Sequence, residues 1–221
     1  MGGIKDLGLV EFFDQELGSD ADEMSPGEAV AAMIINGLGF TDRPLSLTPQ
    51  FFLQVPVDLL LRDGLTAEQI NRHKLGRVLD QLHDAGVSEL FTRAAEIAAT
   101  KEGVDTSAQV NDTTSFSVTG VYDQDSDEHE IRIKHGFSKD HRPDLKQVIH
   151  ELVVSCDGGV PLHLQSHDGN SSDSKIFQER VKALKNSFSM DTKGVWIADS
   201  KLYAESTLEM LKGQWLLTQG S

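Results

Sequence analysis

"VNDTTSFSVTG", residues 110–120, alternates as an extended chain does. Asp112, Thr114, Phe116 and Val118 fall on one side; Thr113, Ser115, Ser117 and Thr119 fall on the other. Phe116 and Val118 mark the first side as the natural core face, and Asp112 shares it. A carboxylate left without a partner on such a face costs several kcal/mol, so the strand predicts a donor or a cation facing Asp112. The same stretch marks a change of character along the chain, from capped helices before Gly103 to alternating strands after it.

In the first part, "SPGEAVAAMIINGLGF" carries Ser25 as N-cap, Pro26 at the first helical position and Glu28 where a capping box needs it. Val30, Met33, Ile34 and Leu38 then recur at helical spacing. "TPQFF" repeats the cap-then-proline signal at Thr48 and Pro49. "TAEQINRHKLGRVLDQLHDAG" predicts a helix from Thr66 to near Gly86, with Ile70, Leu75, Val78, Leu79 and Leu82 on one stripe. "SELFTRAAEIAATKEG" predicts another, capped by Ser88 and ending at Gly103, and the opening "IKDLGLVEFFDQELG" is helical despite its glycine.

Beyond, "EIRIKHGF" alternates Ile131 and Ile133 against Arg132 and Lys134, and "KQVIHELVVSCDGGVPLHLQS" reads as two strands joined at a turn. "SDSKIFQERVKALKNSF" is an amphipathic helix, "GVWIADS" a short apolar strand, "ESTLEMLKG" a helix and "QWLLTQ" a last strand. These elements predict a helical domain over residues 1–105. Residues 106–221 are expected to form a mixed β-sheet with flanking helices, antiparallel strands first and parallel ones after, in strand order 3-2-1-4-5.

The longest nearly uncharged apolar run, "AVAAMIINGLGF", has 12 residues, too few to span a bilayer, and no leader pattern opens the chain. No membrane role and a cytoplasmic location are the expectations. Cys156 is the only cysteine, which excludes disulfides within the chain and thiolate metal clusters. Net charge is −15, so nucleic-acid binding needs a local basic patch. Residues 131–150 offer one, with five Lys/Arg and three His against two acids. It also reads as an ordinary solvated strand and loop.

Asp199 closes the "GVWIADS" strand, and ligands in parallel sheets bind beyond the carboxyl ends of strands. If the first and fourth strands are neighbours, Asp112 and Asp199 project into one site. Two close carboxylates repel unless a proton or a cation intervenes, and hard oxygen donors favour Mg²⁺ or Mn²⁺. Each aspartate alone also reads as a cap or turn residue. His163 and His167 in "HLQSHD" would lie about 13 Å apart on a strand, too far to chelate one metal.

"DTTSFSVTGVY", "GFSKDHRPDLKQ", "DGNSSDSKIF" and "VWIADSKLYAESTLEML" resemble successive motifs of the DDE transposases of prokaryotic insertion sequences. The branch resembled has a helical N-terminal domain before a ribonuclease-H-like catalytic domain, and "GEAVAAMIINGLGFTDRPLSLTPQFF" resembles the former. The resemblance implies that Asp112 and Asp199 are the first two catalytic acids and hold Mg²⁺ or Mn²⁺, with Thr113, Thr114 and Ser115 as supporting or strand-pairing residues. It implies that Lys139, His141, Arg142 and Lys146 touch phosphates. The partners it implies are DNA, both the terminal inverted repeats and the target, with a homodimer as the assembly.

The resemblance also places a third acid, a glutamate, on a later helix, yet only 22 residues follow Asp199. Glu205 and Glu209 lie on the helix that follows directly. The chain as given is therefore expected to be the N-terminal part of a transposase and not to transpose DNA. The alternative is a catalytically inactive, transposase-derived protein that binds DNA or dimerises.

Overall fold

The computed structural model describes residues 2–18, 24–38, 44–122, 131–137, 141–173, 175–180, 195–198 and 216–219. The chain divides into two compact units, 1–98 and 99–221.

The first unit is helical. α1 (Gly2–Asp6) and α2 (Leu9–Leu17) are separated at Gly8, whose φ of 73° lies in the left-handed region that glycine enters without cost. The opening segment is thus two helices, not one. α3 (Pro26–Gly37) starts as its sequence predicts: the Ser25 hydroxyl accepts the Glu28 N–H at 3.2 Å, and Glu28 Oε2 accepts the Ser25 N–H at 2.9 Å. Removing the hydroxyl leaves a helix N–H without its cap, so Ser25→Ala should cost about 1 kcal/mol. Denaturant unfolding followed by far-ultraviolet circular dichroism measures it; an unchanged midpoint would mean that the cap contributes nothing.

α2 and α3 cross at Gly27, where an added Cβ would fall 2.1 Å from the Val10 carbonyl oxygen, and the Gly27 N–H donates to Asp14 Oδ1 at 2.7 Å. α4 (Thr48–Phe52) begins at Thr48 itself, one residue earlier than a Thr48 cap would give. α5 is the short turn Val57–Leu60. α6 (Arg72–Ala85) begins later than predicted, because the Asn71 side chain caps it by accepting the His73 and Lys74 N–H groups at 3.1 and 3.0 Å. Residues 66–70 form only a turn, in which Gln69 Oε1 accepts the Thr66 N–H. Ile70, Leu75 and Val78 are buried with Phe12, Phe52 and Leu61, whereas Leu79 is exposed. Each such burial contributes roughly 1.5–3 kcal/mol. α7 (Val87–Glu102) contains Ser88 and ends before Gly103, whose φ is 66°.

The second unit is built on β1 (Ala108–Val118), β2 (Lys146–Ser155), β3 (Pro161–His167), β4 (Val195–Ala198) and β5 (Leu216–Gln219). They form one sheet in the order β3-β2-β1-β4-β5. β1, β2 and β3 pair antiparallel, while β1–β4 and β4–β5 are parallel. This is the fold class expected from the sequence, helices followed by a mixed sheet in the order 3-2-1-4-5. Among the described residues 131–137, the strand predicted over "EIRIKHGF" is reduced to a single bridge, Lys134 to Gln147. Its neighbouring amides are met by side chains and a loop instead of a ladder: Asp168 Oδ1 accepts the Arg132 N–H at 2.9 Å, and the Arg132 carbonyl accepts the Gly169 N–H at 3.0 Å.

Residues 175–180 are helical, and Ile176, Phe177 and Arg180 are buried. Phe177 meets Trp196 edge-on at 6.3 Å. No helix among the described residues is long and apolar enough to cross a membrane.

Candidate functional site

β1 turns the side predicted for its core face outward. Gln109, Asn111, Thr113 and Ser115 are the buried residues, while Asp112 is exposed and Phe116 is 54% exposed. The reason lies beneath the strand, where the buried layer is polar. Glu151 of β2 is fully buried, and three side chains make four hydrogen bonds to its carboxylate. Arg180 donates to it through Nε and Nη2 at 3.2 and 3.0 Å, Asn111 Nδ2 at 2.7 Å and His167 Nε2 at 3.0 Å. Arg180 also donates to Gln165 Oε1. A face carrying such a network selects Asn111 and Thr113 over Phe116, because each polar group needs a partner there.

Burial alone would push the Glu151 carboxyl up. The hydrogen bonds from His167 and Arg180, the Arg180 charge and the bond from Asn111 outweigh it and hold the group below the ordinary carboxylate range. His163, buried on the same layer, is pushed down to about 4 by burial and then by the Arg180 charge.

Asp112 therefore meets solvent on the opposite side of the sheet from Glu151. Its Oδ1 accepts the N–H of Thr113 at 2.8 Å, which directs the carboxylate along the strand. The parallel register pairs Asn111 with Ala198, so Asp112 and Asp199 each directly follow a member of a registered pair. Asp199 itself lies outside the described residues, as do Lys139, Glu205 and Glu209. Among the described residues, no three His, Cys, Asp or Glu side chains gather as a metal cluster. A solvent-reached carboxylate at a strand position is the hard oxygen donor that Mg²⁺ or Mn²⁺ takes.

The basic segment is tied to the sheet at close quarters. A Cβ on Gly136 would fall 2.0 Å from the Gly169 carbonyl oxygen, and one on Gly169 2.0 Å from that of Gln147. Gln147 Nε2, inside this contact, donates to the Gly169 carbonyl at 2.8 Å. His141 takes a left-handed φ of 56°. Arg142 donates to Asp144 through Nε and Nη2 at 2.9 and 2.7 Å, and this pairing draws the Asp144 carboxyl down. Lys146 Nζ donates to the carbonyls of Val121 and Tyr122, just past the end of β1. Arg142 and Lys146 are thus engaged within the chain, while exposed Arg132 extends the basic surface.

The buried network around Glu151 is the part that sequence reasoning missed. Its signal was available: Glu151 alternates with Ile149 and Val153 on one side of β2, and a carboxylate on that side needs a cation.

Residues 1–96 match the model of a family described as a domain of unknown function, DUF4277. No curated protein matches the chain. Among solved structures, the chain is similar to the crystal structure of the Mos1 strand transfer complex, with 11% identity and a TM-score of 0.31 over 92% of its length. It spans 60% of that chain. A second similar structure is the Mos1 mariner paired end complex with Mn, at 12% identity and a TM-score of 0.34, covering 98% of this chain and 77% of that one.

Proposed function

We propose that this chain is a transposase-type DNA-acting protein of the insertion-sequence kind, in which Asp112 and Asp199 hold Mg²⁺ or Mn²⁺. The observation that carries the reading is the parallel register of β1 and β4, with Asn111 beside Ala198. One further residue of each strand in that register would bring the two carboxylates to the same face at the carboxyl end of β4, where ligands of parallel sheets bind. The motif resemblance adds the reaction class. A bound divalent ion would supply an activated oxygen nucleophile and charge stabilisation at a phosphodiester.

The chain's own residues have separate tasks in this reading. Asp112 and Asp199 would offer the oxygen donors that a hard divalent cation takes. Arg132, His141, Arg142 and Lys146, with Lys139 of the same segment in sequence, would meet phosphates, Arg142 and Lys146 by exchanging their contacts within the chain for them. A chain of net charge −15 needs such a patch, and its binding should fall steeply with salt.

The test is Mn²⁺ binding to the full chain followed by electron paramagnetic resonance, with Asp112→Asn and Asp199→Asn. Each substitution should weaken binding tenfold or more while the protein stays folded. Unchanged Mn²⁺ affinity in Asp112→Asn would overturn the reading. A mixed-sequence DNA duplex titrated at low and moderate salt examines the basic surface separately.

A further inference from the structure

The two neighbours of Asp112 on β1 are both held from the opposite face of the sheet. Thr113 Oγ1 donates to Asp173 Oδ1 at 2.8 Å, and Asn111 Nδ2 donates to Glu151 Oε1 at 2.7 Å. Thr113 and Asn111 are themselves buried. Asp173 is itself helical, as are residues 175–180, and Arg180 of those residues grips Glu151. The helical stretch therefore reaches β1 directly at Thr113 and, through Glu151 of β2, indirectly at Asn111, one on each side of Asp112. Thr113 has a second link to that aspartate, because its N–H is the donor to Asp112 Oδ1. Rotation of the Thr113 peptide would move the donor and swing the carboxylate with it.

We propose that Thr113 is a positioning residue for Asp112: its hydroxyl, anchored on Asp173, fixes the peptide N–H that aims the Asp112 carboxylate at a divalent cation. The inference rests on the metal reading above and extends it to the buried side of the sheet. Partners that orient a metal-binding carboxylate commonly change metal affinity by 10–100-fold when removed. Thr113→Val keeps the shape and the β-branching but removes the donor. Thr113→Ser keeps the donor.

The experiment is the same Mn²⁺ titration by electron paramagnetic resonance on the full chain, comparing wild type, Thr113→Val, Thr113→Ser and Asp112→Asn, with thermal unfolding of each. Thr113→Val should bind Mn²⁺ about tenfold more weakly, whereas Thr113→Ser should stay within about twofold of wild type. Thr113→Val at wild-type affinity, with Asp112→Asn impaired, would overturn the positioning role and leave the metal reading standing. Asp112→Asn at wild-type affinity would overturn both. An equal loss in Thr113→Val and Thr113→Ser would assign the effect to packing and also overturn it. Should Thr113→Val fail to fold, Asp173→Ala removes the anchor from the other end, and the same tenfold weakening is expected; unchanged affinity there overturns the proposal.

Discussion

Arg180→Met is expected to destabilise the sheet unit by about 3–5 kcal/mol, the usual result of leaving a buried carboxylate without its cation. Glu151 is 0% exposed, so it cannot recover hydration when the guanidinium leaves. Asn111 and His167 remain as donors, but two hydrogen bonds do not replace a charge that held the carboxyl below its ordinary range against burial. The expectation for the pair differs from that for the single change. Replacing both members by apolar groups of similar size removes the charge along with its partner, and such swaps are often neutral. Glu151→Met/Arg180→Met should therefore recover at least half of the loss, a coupling that a double-mutant cycle isolates. Both tryptophans, Trp196 and Trp215, fall within residues 99–221, so tryptophan fluorescence in urea reports this unit alone. A loss below about 1 kcal/mol in Arg180→Met, the level of an exposed pair, would show that water reaches Glu151.

The same network explains where the sequence was readable and where it misled. Helix α3 was legible because its signals are local: Ser25, Pro26 and Glu28 are a few residues apart and need nothing else. The start of α6 was not, because two capping sequences compete within six residues. Thr66 and Gln69 make their contact, but only as a turn, and Asn71 takes over the cap by accepting two N–H groups. Strand order followed from the succession of elements, and the structure has it. The facing of β1 did not follow. Phe116 and Val118 outweighed the small polar residues in a count of hydrophobicity, yet the side of Asn111 and Thr113 is buried because Glu151 and Asp173 wait there for donors. The partner that decides it, Arg180, lies 29 residues beyond Glu151, and no local pattern connects them. The carboxylate that sits on the core face and needs partners there is Glu151, not Asp112. Asp112 is reached by solvent, which suits a ligand site better than burial does.

A second large effect should come from acid. His163 is 5% exposed, and Arg180, Glu151, Gln165 and His167 act on the charge of its ring. Burial, then the Arg180 charge, lowers its pKa from 6.5 to about 4, with the Glu151 charge and the Gln165 hydrogen bond opposing. In the unfolded chain the ring takes up its proton near the ordinary value, so between roughly 6.5 and 4 the unfolded state binds more protons than the folded one. Stability is therefore fully present above pH 6.5 and is lost as pH falls through that window, by on the order of 3 kcal/mol for this histidine. His150, lowered by burial and then by the His167 charge, acts in the same direction. Glu151, held below its ordinary range, adds a loss at lower pH still. Urea unfolding at pH 7.5 and pH 5, read by tryptophan fluorescence, should show a marked fall in midpoint. His163→Gln, which keeps a polar side chain and cannot titrate, should flatten most of that fall while leaving the slope from Glu151 at lower pH. An equally steep pH dependence in His163→Gln would mean that the ring is hydrated enough to protonate in place, and that the polar layer under β1 is wetter than its burial indicates.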